Sequence, residues 1–434
     1  MANQATLRVM QELKQLHEHA DIGIMVSYDE SDLLEVDAVV VGPPNTPYAL
    51  GFYEFNIKFP PDYPAKPPSV VFRTTNRGHT RFGPNLYATG KVCLSILGTW
   101  PGRPEEQWSP VQGLETVLRS IQSLLAENPY TLEPGNEKCA DTRESEVYNA
   151  KVHHENLRLA VIRPLEEAFG GSDLTLAERS LNTIPRLHKK RPLPRPFIDV
   201  LKRRFLWYLE SYKMEIEKGR LRRGWSTGSF PVLRFECTGN DMTGHWDYDK
   251  LKSQLKNLED QILAETRNWP RLGIKEASNS EVLAASLRTQ YKNIASALGR
   301  RTEGMAVVEL VEDNPFLWKL TYHGRPMTQF DGGVIKAKIY ISPKHPAEQP
   351  RVFLEDTLEH VRVTPQKFLL YLPLEAEGMS DHVDGIIRSL EEESPPCDPL
   401  MTVNPAASAL CWGTPEEKRQ YRRNLRRSVE ATIG

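Results

Sequence analysis

Cys93 heads the apolar run Val92-Cys93-Leu94-Ser95-Ile96-Leu97, and Asn85 stands eight positions before it. A free thiol titrates near 8.5, which leaves a few per cent as thiolate at neutral pH. The chain puts only Lys91 close by as a cation that would help ionise it. A thiol in that setting suits exchange with an already activated thioester, where the barrier is mostly positional, and suits attack on an unactivated amide poorly. Asn85 carries an amide NH2 of the kind that donates to an oxyanion in acyl transfer. The plainer alternative is a buried core cysteine with an asparagine capping the turn after Pro84, because free cysteine is among the most buried residue types.

Several elements must position these two residues. Leu7, Met10, Leu13 and Leu16 recur at near-helical spacing and predict an amphipathic helix over Thr6–His19. Val36–Val41, Phe52–Phe59 and Ser69–Phe72 are rich in β-branched or aromatic residues and are separated by Gly/Pro breaks, which reads as an antiparallel meander. Prolines 60, 61, 64, 67 and 68 cannot donate to a ladder and mark a rigid loop. Ser109 as N-cap, Pro110 at N1 and Gln112 at N3 predict a helix start. The stripe Leu114, Val117, Leu118, Ile121, Leu124 and Leu125 follows as core packing, with an end at Asn128-Pro129. A further helix is expected over Ser145–Phe169.

Pro84-Asn85, Gly90-Lys91-Val92-Cys93-Leu94-Ser95-Ile96-Leu97 and Trp108-Ser109-Pro110 together resemble the active-site signature of ubiquitin-conjugating enzymes. Gly42-Pro43-Pro44, Thr46-Pro47-Tyr48, Gly51-Phe52-Tyr53, Phe59-Pro60-Pro61-Asp62-Tyr63-Pro64 and Lys66-Pro67-Pro68 match the family pattern in order. The resemblance covers about residues 5 to 170. Leu97-Gly98-Thr99-Trp100, Glu127-Asn128-Pro129-Tyr130, Glu133-Pro134-Gly135 and His245-Trp246-Asp247-Tyr248 are similar to the Z-type subgroup. The resemblance implies an α+β ubiquitin-conjugating (UBC-like) fold, a four-stranded antiparallel meander with flanking helices. It also implies that Cys93 carries ubiquitin or a ubiquitin-like modifier as a thioester and that Asn85 steadies the oxyanion. Glu133 lies where the family keeps an acidic residue near the thioester; it orients or desolvates the incoming lysine, or it is a solvated loop carboxylate. The first helix, with Arg8, would meet the activating enzyme. Ala65 and Val111 replace residues common in the family on the surfaces that receive ligases, which implies a different ligase preference.

The 434 residues predict two to four domains. Lys plus Arg number 55 against 57 Asp plus Glu, so bulk charge makes no case for nucleic acid. Five cysteines at irregular spacing give neither a Cys-x-x-Cys metal site nor an even disulfide set, which points to the cytosol or nucleus. There is no apolar run of about 18 residues and no charged-then-apolar leader, so the expectation is a protein off the membrane. The expected divisions are a catalytic domain at 1–170, a linker at 171–195, a helical extension at 196–303 packed on the first domain, and a second domain at 304–434. The basic run Arg186–Arg195 suits a solvated linker or a nuclear-import signal.

The last division resembles the same family pattern a second time, through Asn314–Gly324, Asp331–Pro343, Pro346–Pro350, Asn404-Pro405-Ala406-Ala407 and Tyr421–Val429. Aligning Lys367 on Lys91 puts Leu369 at the cysteine and Val361 at the asparagine, and Trp-Ser-Pro is absent. This copy is expected to be catalytically dead. The resemblance implies a modifier, an activating enzyme, a ligase and protein substrates as partners, with ATP consumed by the activating enzyme and no metal or organic cofactor. The rival from another class is a scaffold that binds a ligase or modifier without chemistry.

Overall fold

The computed structural model describes residues 4–18, 21–170, 193–222, 224–234, 236, 242–374, 376–392 and 395–433. Cys237 and the linker up to residue 192 lie outside the described residues. The chain divides into two compact units, Met1–Leu201 with Glu215–Lys256, and Lys202–Met214 with Asn257–Gly434. The stretch 196–303 is therefore shared between the units, whereas the sequence suggested a layer belonging to the first alone.

The first unit opens with α1 (Gln4–Glu18) and a sheet of β1 (Ile24–Asp29), β2 (Asp32–Val41), β3 (Phe52–Lys58) and β4 (Ser69–Phe72), in that order and antiparallel throughout. The register sets Ala38 against Phe55 and Phe55 against Phe72. β3 is central, and Phe52, Tyr53, Phe55, Asn56 and Ile57 are all buried, so both of its faces are covered. Pro194 and Phe197 line a cleft with Asp37, Val39 and Glu54 on one of those faces.

The face that α1 buries is Ala5, Val9, Glu12 and Leu13, while Leu7 and Met10 are half exposed, which corrects the expected stripe. Glu12 is inside because it is an acceptor hub. Its carboxylate takes the Tyr63 hydroxyl at 2.7 Å, the Leu114 backbone N–H at 2.9 Å and the Arg8 guanidinium at 2.5 Å. α2 (Leu114–Leu124) is thus capped from α1, with Gly113 at the N-cap. The expected start at Ser109 is a turn instead, closed by the Gln112 side chain accepting from the Ser109 N–H at 2.8 Å, and the helix ends at Leu124 rather than Asn128. Its inward stripe of Leu114, Val117, Leu118 and Ile121 is buried as expected. Trp108 donates its indole N–H to the Pro64 carbonyl at 2.8 Å, which ties this turn to the proline loop.

α3 (Arg143–Glu155) runs through a π-helical stretch, Asn156–Ile162, into α4 (Arg163–Ala168). π-helical turns accommodate an extra residue at the cost of helix geometry and often serve local demands. Here Asn156 reaches back to β3 and the loop before it, accepting from Tyr53 at 2.7 Å and donating to the Ala49 carbonyl at 3.0 Å. After α5 (Arg195–Leu221), the hairpin β5 (Thr227–Ser229) and β6 (His245–Asp247) leads into α6 (Tyr248–Ala277). Residues of this extension embrace α3. Lys151 and Glu236 form a fully buried ion pair at 2.9 Å, His153 meets Tyr248 at 3.0 Å and Glu215 at 2.9 Å, and Asp247 donates its backbone N–H to His154 at 2.9 Å.

In the second unit α7 (Val282–Arg301) precedes a sheet of β7 (Ala306–Leu310), β8 (Leu317–His323), β9 (Val334–Tyr340) and β10 (Arg351–Leu354), consecutive and antiparallel. α8 (Met379–Glu391), α9 (Pro405–Cys411) and α10 (Pro415–Glu430) complete it. The turn chemistry repeats that of the first unit. Thr46 and Thr328 each donate to a carbonyl three residues back at 2.7 Å, and each accepts an N–H from two residues on. A Cβ on Gly42 would meet the Tyr48 carbonyl at 1.9 Å, and one on Gly324 the Phe330 carbonyl at 1.7 Å, so the same close approach demands glycine in both copies.

The hydrogen bonds also fix the alignment of the two active-site positions. Phe72 donates to the Gly90 carbonyl and Leu354 to that of Lys367; Cys93 donates to the Asn85 carbonyl and Leu370 to that of Arg362. Gly90 and Lys367, both at positive φ, are therefore equivalent. Leu370 and Arg362, rather than Leu369 and Val361, stand where the first unit has Cys93 and Asn85. The one-residue correction arises because matching two lysines overlooks the backbone pairing that defines the position.

Candidate active site around Cys93

Cys93 follows two isolated bridge residues, Lys91 and Val92, the first of them beside β4. Lys91 pairs with Val71 and Val92 with Leu86, and a tight reversal at 87–91 brings Asn85 back opposite the cysteine. Gly90 supplies the positive φ of 87° this turn requires. Two hydrogen bonds then join the expected pair. The Cys93 N–H donates to the Asn85 carbonyl at 2.9 Å, and the Asn85 amide donates to the Cys93 carbonyl at 3.0 Å. Beyond the cysteine, Ser95–Leu97 form a 3₁₀ turn ended by Gly98 at φ 66°. The Thr99 hydroxyl clamps it, donating to the Val92 carbonyl at 2.6 Å and accepting from the Leu94 N–H at 3.0 Å. Cys93 is 1% exposed at rest.

Two residues that sequence reasoning missed complete the setting. Tyr87 lies close enough to Cys93 for the thiol to act on its phenol. Burial, then the thiol and Glu133, push that phenol above its ordinary range, while Arg81 pulls the other way. Its ring lies against the Arg81 guanidinium at 5.1 Å and the Lys91 ammonium at 5.7 Å. Arg81 is buried and donates to the Gly83 carbonyl at 3.1 Å, the Pro84 carbonyl at 3.1 Å and the Glu133 carboxylate at 2.9 Å. Tyr87 was visible as the aromatic between Asn85 and Cys93. Arg81 gave only the signal of one cation in the run Thr80-Arg81-Phe82-Gly83, and charge in sequence ordinarily reads as surface.

Glu133 is paired with the buried Arg81 guanidinium at 2.9 Å. It sits just past a 3₁₀ turn at Pro129–Leu132 and remains partly open to solvent. Arg8, expected on the outer face of α1, is instead half buried against Glu12 and also donates to the Gln112 carbonyl at 3.3 Å. Among the described residues no group of three or more His, Cys, Asp or Glu is placed to hold a metal ion. No described helix is long and apolar enough to cross a membrane.

The four-stranded antiparallel meander with α1 and α2 packed on it is a ubiquitin-conjugating fold, and the chain belongs to the ubiquitin-conjugating enzyme family. The family model for the ubiquitin-conjugating enzyme matches residues 8–156. The chain is 35% identical over 267 residues to Ubiquitin-conjugating enzyme E2 Z of Homo sapiens, a match covering 62% of this chain and 66% of that protein. It is 34% identical over 268 residues to the protein of the same description from Xenopus tropicalis, covering 60% and 73%. The solved structure of human Ubiquitin-conjugating enzyme E2 G1 aligns at 32% identity over 29% of this chain and 98% of its own, with a TM-score of 0.26.

Proposed function

We propose that this protein is a ubiquitin-conjugating enzyme whose carrier residue is Cys93. The Cys93 sulfur attacks the modifier's C-terminal carbonyl in the activating enzyme's thioester. The activating enzyme's thiol departs with the proton, and the new thioester is on Cys93. A substrate lysine amine then attacks that carbonyl, an isopeptide bond forms, and Cys93 leaves as the thiol. The modifier is ubiquitin or a ubiquitin-like protein, and a ligase brings the substrate. With the sulfur covered at rest, the incoming carbonyl reaches it only once the side chains over it turn aside. The observation that carries the reading is the paired hydrogen bonding of Cys93 and Asn85. Asn85 stabilises the oxyanion formed when the lysine amine attacks, while loading draws much of that support from the activating enzyme's side.

The second unit takes no modifier on this reading. Leu370 and Arg362 at the equivalent backbone positions offer neither a nucleophile nor an amide, and Leu370 is 1% exposed. Its part is binding or scaffolding, and the site of action is the cytosol, with the nucleus open to it. The test is a charging assay with ATP, ubiquitin and a panel of activating enzymes. A reducing-agent-sensitive adduct that becomes a stable oxyester in Cys93→Ser supports the reading, and no adduct with any activating enzyme supports a scaffold.

A further inference from the structure

A buried arginine that donates both to the carbonyls leading into Asn85 and to Glu133 in another loop has a role beyond packing. Arg81 is 3% exposed, and a guanidinium is always charged, so its burial is costly unless the geometry repays it. Two of its bonds fix the carbonyls of Gly83 and Pro84, the residues that deliver Asn85. The third grips Glu133, which lies in a separate loop after α2. Its face covers the ring of Tyr87, in the turn between Asn85 and Cys93, at 5.1 Å. The arginine is itself braced from behind, since Thr80 pairs in a backbone bridge with Met242 of the extension and the Tyr148 hydroxyl donates to the Arg81 carbonyl at 3.4 Å.

We infer that Arg81 is a positioning residue for the second transfer, holding Glu133 toward the thioester as the acceptor for the incoming lysine ammonium. This rests on the carrier role proposed for Cys93. An amine near pKa 10.4 arrives almost wholly protonated, and a carboxylate aimed at it orients the ammonium and eases its deprotonation. Without the guanidinium, Glu133 swings into water and that help is lost, whereas loading, which exchanges thioester for thioester, needs no amine.

The experiment uses the full-length protein charged with ubiquitin, then discharged in single turnover to free lysine or to hydroxylamine, which is already a neutral nucleophile at pH 7. Arg81→Gln and Glu133→Gln should each slow discharge to lysine by about tenfold or more, with far smaller effects on loading and on hydroxylamine, and the double variant should be no slower than either single. Arg81→Lys should recover part of the lysine rate. The surface position of Glu133 keeps the test alive if Arg81→Gln folds poorly. Lysine discharge at the parent rate in Glu133→Gln, or single effects that multiply in the double variant, would overturn the inference. Failure of the parent to charge at all would instead overturn the carrier role.

Discussion

At the scale of single residues, the proposed function gives Asn85 two jobs. An amide NH2 has two N–H groups, so one can hold the Cys93 carbonyl at 3.0 Å while the other meets an oxyanion. Asn85→Ala should therefore charge but discharge to lysine about 10²–10³-fold more slowly, the usual cost of losing one oxyanion donor. Single-turnover rates check this; equal slowing of loading and discharge would mean that the amide serves only to hold the Cys93 backbone. The pairing of Cys93 with Asn85 was legible in their spacing, because a tight reversal between them leaves few ways to close. Their bond to each other was not, since it depends on the turn at Gly90. Nor was the tether on Glu133, whose partner lies 52 positions earlier in the chain.

At the scale of elements, the meander and the two long helices of the first unit could be read from apolar spacing, but the points of contact could not. Spacing alone gave α1 a stripe of leucine and methionine, and a glutamate occupies its buried face because α2 and the proline loop both need an acceptor there. β1 was missed because its residues are only partly buried and show no alternation. The helix start was placed too early because Ser109 and Gln112 do satisfy each other, in a turn. Glu12→Ala should strand the Leu114 N–H and the Tyr63 hydroxyl together. The expected loss is about 1–3 kcal/mol, the range for unsatisfied buried groups and lost caps, read as a lowered denaturant midpoint. An unchanged midpoint would mean that water replaces the carboxylate without cost.

At the scale of the whole molecule, a second copy was expected from the resemblance, and the structure gives that region a second four-stranded antiparallel sheet with a matching turn at Gly324, but the position equivalent to the cysteine needed the backbone pairing. This unit should also be acid-labile. Burial, with Arg362 nearby, holds His360 at about 3, and burial, with His345 and Arg203 nearby, holds His382 at about 4. Both imidazoles are neutral in the fold and titrate near 6.5 when unfolded. The unfolded chain therefore binds more protons between those values, and the stability they contribute, complete above about pH 6.5, falls as the pH drops toward 4. Thermal melts across that window should show the loss, and His360→Gln with His382→Gln should flatten it; a slope unchanged by the pair would contradict the assignment. With Cys93 as the proposed carrier, Cys397→Ala with Cys411→Ala should load as the parent does, and a loss of charging would move the carrier role away from Cys93. The most direct measurement is the adduct itself. Full-length protein incubated with ATP, ubiquitin and an activating enzyme should gain one ubiquitin that reducing agent removes, Cys93→Ser should hold it against reducing agent, and Cys93→Ala should gain none. A thioester that persists in Cys93→Ala, or a parent that no activating enzyme charges, would contradict the account.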